Sequence, residues 1–165
     1  WRIGWMVVPT TLVRTVERLA QNFFICPPTV SQHAALAAFD ATEELEGHKQ
    51  VYAANRDLLL EALPKLGFDC QVPADGAFYL YAGTAGISDS ASTLARQMLE
   101  EAGIATTAGA DFHVRGDVPV VGSTANAPDT LRAEQFIRFS YSRTHAEIAE
   151  AVRRLQGWAR LKPQR

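Results

Sequence analysis

Two kinds of apolar pattern alternate along this chain, and their order confines it to folds that pack helices against a sheet. Short runs at residues 3–8, 68–72, 77–81, 104–107 and 136–141 have strand length and carry β-branched or aromatic residues. Between them, apolar residues return every three or four positions, the period of a helix with one buried face. Leu12, Val13, Val16, Leu19 and Ala20 mark the first such helix, opened by Thr10, and a short one covers residues 31–39. Asp40-Ala-Thr-Glu43 has capping-box spacing and leads into a long helix to about residue 63, with Leu45, Val51, Tyr52, Leu58, Leu59 and Leu63 as its stripe. Ser88 or Asp89 opens another helix, striped by Ala91, Leu94, Ala95, Met98, Leu99 and Ala102 and closed by Gly103. Thr144-His-Ala-Glu147 is a second capping box, ahead of Ile148, Val152, Leu155 and Trp158. Pro9, Pro27-Pro28, Pro64 and the Pro73-Ala-Asp-Gly76 cluster supply the breaks. The resulting order, β-α-α-α-β-β-α-β-loop-β-α, predicts an α/β or α+β arrangement, with the long helix as a connector between two lobes and the part after about residue 66 as a small domain with its own sheet.

Composition agrees with a packed core and excludes several classes. The chain has 165 residues, 47% of them hydrophobic, with a formal net charge of −2. A chain near this length buries roughly 68–70% of its unfolded surface. The mild charge gives no basis for nucleic-acid or membrane binding, and no apolar run reaches the roughly 18 residues of a membrane span. Cys26 and Cys70 lie far apart without metal-ligand spacing, so no structural zinc is expected. They are expected as buried, reduced thiols of a cytoplasmic protein. No secretory leader is evident, and the opening Trp1-Arg-Ile-Gly-Trp5 reads as mid-strand, as in a piece of something longer. Residues 108–135 lack periodicity and hold five Gly and Pro, so they are expected to be a functional or disordered loop; the tail, 161–165, is expected to fray.

Arg138 is the sharpest candidate for chemistry. It interrupts the apolar and aromatic run Phe136-Ile-Arg-Phe-Ser-Tyr141 and shares a strand face with Phe136 and Ser140. A guanidinium on a mostly buried strand needs an anion, and its planar fork suits the two oxygens of a carboxylate. An ion pair with an Asp or Glu, or an edge strand facing water, stays open beside that reading. Arg2, next to Gly4, is a second cation in an apolar run, of a type that matches phosphate geometry; a solvated strand end is its alternative. In Gly76-Ala-Phe-Tyr79, Gly76 is expected to supply a positive φ and the aromatics to join the core. His33, His48, His113 and His145 are scattered, and no nucleophile–His–acid set, Walker loop or GxGxxG is present.

Taken together, four segments resemble the C-terminal portion of class I/II aminotransferases, the fold-type I enzymes that use pyridoxal phosphate. Trp1-Arg-Ile-Gly-Trp5 is similar to the end of the family's Ser-x-Ser-Lys…Gly-x-Arg-x-Gly signature. Asp75-Gly-Ala-Phe-Tyr79 resembles the opening of its small-domain strand. Gly103-Ile-Ala…Gly109-Ala-Asp-Phe112 resembles its Gly-Val…Pro-Gly…Phe stretch, and Phe136-Ile-Arg-Phe-Ser-Tyr141 its Arg-bearing strand. The four occur in family order and span nearly the whole chain.

The resemblance implies a fold and roles. Residues 1–40 would be the trailing part of the large cofactor domain, 41–66 the interdomain helix and 67–165 the small C-terminal domain. Arg2 would bind the phosphate of pyridoxal 5'-phosphate, and Arg138 the carboxylate of an amino acid or 2-oxo acid. The whole enzyme would be a homodimer. The family's Schiff-base lysine is not matched by Lys49, Lys65 or Lys162, so the chain by itself is expected to be inactive. Ala108 stands where the family pattern has Pro, and the segment 109–136 is longer than usual. A non-catalytic small-domain module and a related fold-type I lyase are the alternatives.

Overall fold

The computed structural model describes residues 2–71, 73–112 and 133–158. Two compact units meet within the longest helix, one ending at His48 and the other starting at Lys49. Much of the expected loop 108–135, and the tail, lie outside the described residues.

The first unit is helical. The strand expected at residues 3–8 is not formed: the segment belongs to no helix or strand, and no described segment pairs with it in a ladder. Helix α1 (Thr10–Phe23) follows Pro9, whose φ of −54° and ψ of 143° suit the cap position. Helix α2 (Thr29–Ala38) follows Pro28 in the same way and starts two residues earlier than its apolar pattern implied. The stripe of α1 is present but buries none of its residues; Leu12, Val13 and Leu19 are exposed. Cys26 is exposed as well, against the expectation of a buried thiol.

The second unit holds the sheet and the core. Helix α3 (Thr42–Lys65), which began in the first unit, runs through Pro64 into its last turn and stops where Gly67 turns left-handed at φ 93°. Leu59, Ala62 and Leu63 are buried, whereas Leu45 and Val51 of the expected stripe are exposed. Strand β1 (Tyr79–Gly83), helix α4 (Ala91–Ala102), strand β2 (Thr107–Ala108), a 3-10 turn (Gly109–Phe112), strand β3 (Phe136–Ser140) and helix α5 (His145–Gly157) follow. The antiparallel sheet has the order β1-β3-β2. The strand expected at 68–72 shrinks to one bridge, Asp69 with Gly83.

Local chemistry sets the helix ends. Ser90 caps α4 by accepting from the amide of Thr93, one or two residues later than Ser88 or Asp89, and Gly103 closes the helix at φ 68°. Thr144 and Glu147 form the expected capping box of α5. Before β1, the positive φ falls on Ala77, at 57°, and not on Gly76. An alanine tolerates that conformation at a cost of roughly 1–2 kcal/mol.

Strand alternation then sorts the two faces of the sheet. Leu80, Ala82, Ile137 and Phe139 pack with Leu59 and Leu63 of α3, Leu94 and Met98 of α4, and Val152 and Leu155 of α5. Phe68 meets Phe139 edge to face at 5.2 Å. The opposite face carries Tyr79, Tyr81, Thr107, Phe136 and Arg138. No helix among the described residues is long and apolar enough to cross a membrane.

Candidate functional site

Arg138 lies on the central strand, level with Tyr81 on one side and Thr107 on the other. The edge-strand reading of this residue is thereby excluded. Its neighbours in sequence, Ile137 and Phe139, are buried in the core, so alternation turns Arg138 to the opposite face. There the guanidinium carbon lies 4.2 Å from the Tyr79 ring centre and 4.3 Å from that of Phe112. Both distances fall within cation–π range. Nη2 donates to the Thr107 hydroxyl at 3.3 Å, while Nε is buried without a partner.

Among the described residues, Arg138 has no carboxylate within ion-pair distance. The other arginine pairs sit largely in solvent, as with Arg153 and Glu150 at 2.7 Å. The cation of Arg138 is therefore held in place without being neutralised by any acid among the described residues, and the fork keeps donors for an incoming anion.

The surrounding face is aromatic and closely fitted. Tyr81 stacks on Phe136 with centres 4.9 Å apart and planes 8° from parallel, and burial raises the pKa of its hydroxyl. Gly109 lies beneath it: a Cβ there would run into the Tyr81 hydroxyl and the carbonyl oxygen of Ala133. The aromatics of the 76–79 turn divide. Phe78 packs against the core as expected, whereas Tyr79 turns to Arg138.

Arg2 belongs to the first unit. It is exposed, takes a left-handed φ of 56° and has no acid against it among the described residues. Nothing lies within 4 Å of a Cβ built on Gly4, so no close backbone approach is seen there. Of the lysines, Lys49 and Lys65 are on α3, Lys65 pairs with Glu61 at 2.8 Å, and Lys162 lies outside the described residues. Among the described residues no three His, Cys, Asp or Glu side chains gather as a metal would need.

The sequence pattern pointed to Arg138 but not to the side chains that hold it. Tyr79 is reached through strand register, and Phe112 through the turn that follows β2. Neither is adjacent in sequence to the arginine.

Residues 1–155 match the family described as aminotransferase class I and II. The chain belongs to that family. A valine–pyruvate aminotransferase of Mycobacterium tuberculosis is 39% identical over 160 residues, which are 96% of this chain and 37% of that protein. An aspartate/prephenate aminotransferase of Thermus thermophilus is 33% identical over 144 residues, 84% of this chain and 36% of the relative. Among solved structures, an aminotransferase from Mycobacterium tuberculosis aligns with a TM-score of 0.77 at 39% identity, covering 96% of this chain and 37% of that one. The chain thus spans little more than a third of the length of these relatives.

Class I and II aminotransferases use pyridoxal 5'-phosphate. Among the described residues Arg2 is an exposed guanidinium with no acid against it, a group whose planar fork is chemically compatible with a phosphate.

Proposed function

We propose that this chain is the C-terminal portion of a pyridoxal-phosphate-dependent aminotransferase, and that it supplies the arginine that binds the substrate's carboxylate. The observation that carries the reading is Arg138 itself: a cation on a central strand, flanked by rings, with no acid partner among the described residues. A carboxylate meeting its free donors forms charge-assisted hydrogen bonds, each worth about 1.5–3 kcal/mol. Two such bonds fix both position and rotation of an amino acid or 2-oxo acid about its carboxylate, and with them the direction of the carbon that exchanges its amino group.

In the same reading Arg2 holds the cofactor's phosphate. Residues 1–40 close the large domain, 41–66 form the interdomain helix and 67–165 make the small domain. When bound in the whole enzyme, a homodimer, the cofactor supplies the electron sink for the exchange. The lysine that would hold it belongs to the family signature ahead of the Trp1-Arg-Ile-Gly-Trp5 match, so this chain alone does not transaminate.

Kinetics of the enzyme containing this chain test the arginine. Arg138→Lys keeps the charge and removes the fork. It should lower kcat/KM for amino-acid and 2-oxo-acid substrates by on the order of 10²-fold, from the loss of about 3 kcal/mol. The slow reaction of an amine lacking the carboxylate should stay unchanged. Equal losses for both substrates, or none for either, would overturn the assignment.

A further inference from the structure

We infer that Tyr79 and Phe112 are positioning residues for the proposed carboxylate site: their rings hold the Arg138 guanidinium ready for a carboxylate without neutralising it. The inference rests on the carboxylate reading of Arg138 and adds to it the means by which an unpaired cation stays in place.

An arginine side chain is long and rotates about several bonds, so a binding site built on one must restrain it. An acidic partner is the usual restraint, but it occupies the donors that a substrate carboxylate needs. Aromatic faces attract the cation through the ring quadrupole and leave the in-plane N–H donors unused. The two rings come from separate elements, Tyr79 from β1 and Phe112 from the 3-10 turn, and each centre lies within 4.3 Å of the guanidinium carbon. Thr107, level with Arg138 on β2, takes one hydrogen from Nη2 at 3.3 Å. Nε is shut off from solvent, so a carboxylate arriving from solvent meets the terminal nitrogens.

Tyr79 and Phe112 are 36% and 49% exposed, more than their share in a core role. Rings this exposed gain little from burial, and at these distances both attract the charge; Tyr79 also rests on the Phe78 ring, with centres 4.4 Å apart. The Tyr79 hydroxyl is not needed for this task; the face of the ring is.

The test follows the Nε–Hε signal of Arg138 by nitrogen-15 NMR in the enzyme containing this chain, assigned by its loss in Arg138→Lys, during titration with pyruvate, a 2-oxo monocarboxylate. The unsubstituted chain should show a saturable shift. Phe112→Leu and Tyr79→Leu should each weaken the apparent affinity about three- to thirty-fold, the span that corresponds to loss of a cation–π contact. Phe112→Tyr and Tyr79→Phe keep the ring and should bind as the unsubstituted chain does, since the hydroxyl takes no part in holding the cation. An unchanged amide spectrum of α5 shows that the leucine variants remain folded. If the leucine variants bind pyruvate as well as the unsubstituted chain, the positioning role is overturned and the carboxylate site stands. If the unsubstituted chain shows no saturable shift, the carboxylate reading falls and the positioning role falls with it.

Discussion

Replacing Asn55 by alanine should cost the second unit about 3 kcal/mol. Asn55 is fully buried on α3, and its amide nitrogen donates to the carbonyl oxygens of Tyr141 at 3.1 Å and Arg143 at 2.7 Å. With both amide hydrogens spent on carbonyls, Oδ1 is the acceptor for His145, whose Nδ1 lies 2.9 Å away and carries the proton. One side chain thus ties the helix to the connection between β3, which bears Arg138, and α5. A net value of about 1 kcal/mol per hydrogen bond gives the total for three bonds. His145 is exposed and can turn to water, which lowers the sum, while the cavity left by the shortened side chain raises it. Urea unfolding measures the loss. It can be followed by fluorescence of Trp158, which is buried and donates from Nε1 to Glu101 Oε2 at 2.8 Å. Asn55→Asp keeps the shape but sets an acceptor against two carbonyls, and should be at least as damaging at neutral pH. A loss under about 0.5 kcal/mol in Asn55→Ala, with an unchanged denaturant slope, would refute the view that these bonds hold the connection.

Other consequences can be checked one at a time. Gly109→Ala must displace both the Tyr81 hydroxyl and the Ala133 carbonyl and should destabilise by about 1–3 kcal/mol in thermal unfolding, with Arg138→Lys as a mild comparison. Glu134 accepts from the hydroxyl of Ser92 at 2.5 Å, the amide of Ser92 at 3.0 Å and the hydroxyl of Ser90 at 3.0 Å. Those bonds, led by the Ser92 hydroxyl, hold its pKa below the usual carboxylate range. Its contribution is therefore complete above the unfolded carboxylate pKa of about 4.3 and lost as pH falls through the lower folded value. Glu134→Gln should flatten the acid side of the stability–pH curve, and an unchanged slope there would contradict the capping role. Incubating the chain with pyridoxal phosphate and borohydride should give no single stoichiometric lysine adduct by mass spectrometry; a unique adduct on Lys49 or Lys65 would mean that the chain builds a cofactor site of its own.

Much of the second unit was legible because its signals are local. The Thr144–Glu147 box, Gly103 and the stripe from Ile148 to Trp158 act within a turn or two, and all of them appear as read. The failures occur where a distant neighbour decides. Residues 3–8 have strand composition but no described ladder partner, and 68–72 keeps one bridge for the same reason. Leu45, Val51 and Leu99 fit helical stripes yet are exposed, since periodicity gives a face and not what covers it. Asn55, being polar, falls outside any apolar stripe, although it lies four residues before buried Leu59 on the same helix face. In the site, the embedded charge pointed to Arg138. The rings of Tyr79 and Phe112 depend on strand register and on the turn after β2, which no run of residues near position 138 reveals.

The most direct measurement of the central claim is a crystal structure of the enzyme containing this chain, with a 2-oxo acid or amino-acid analogue bound. The account predicts both carboxylate oxygens at about 2.7–2.9 Å from nitrogens of Arg138, with Tyr79 and Phe112 still flanking the guanidinium. A carboxylate bound elsewhere, with Arg138 paired to an aspartate or glutamate of the enzyme, would contradict it.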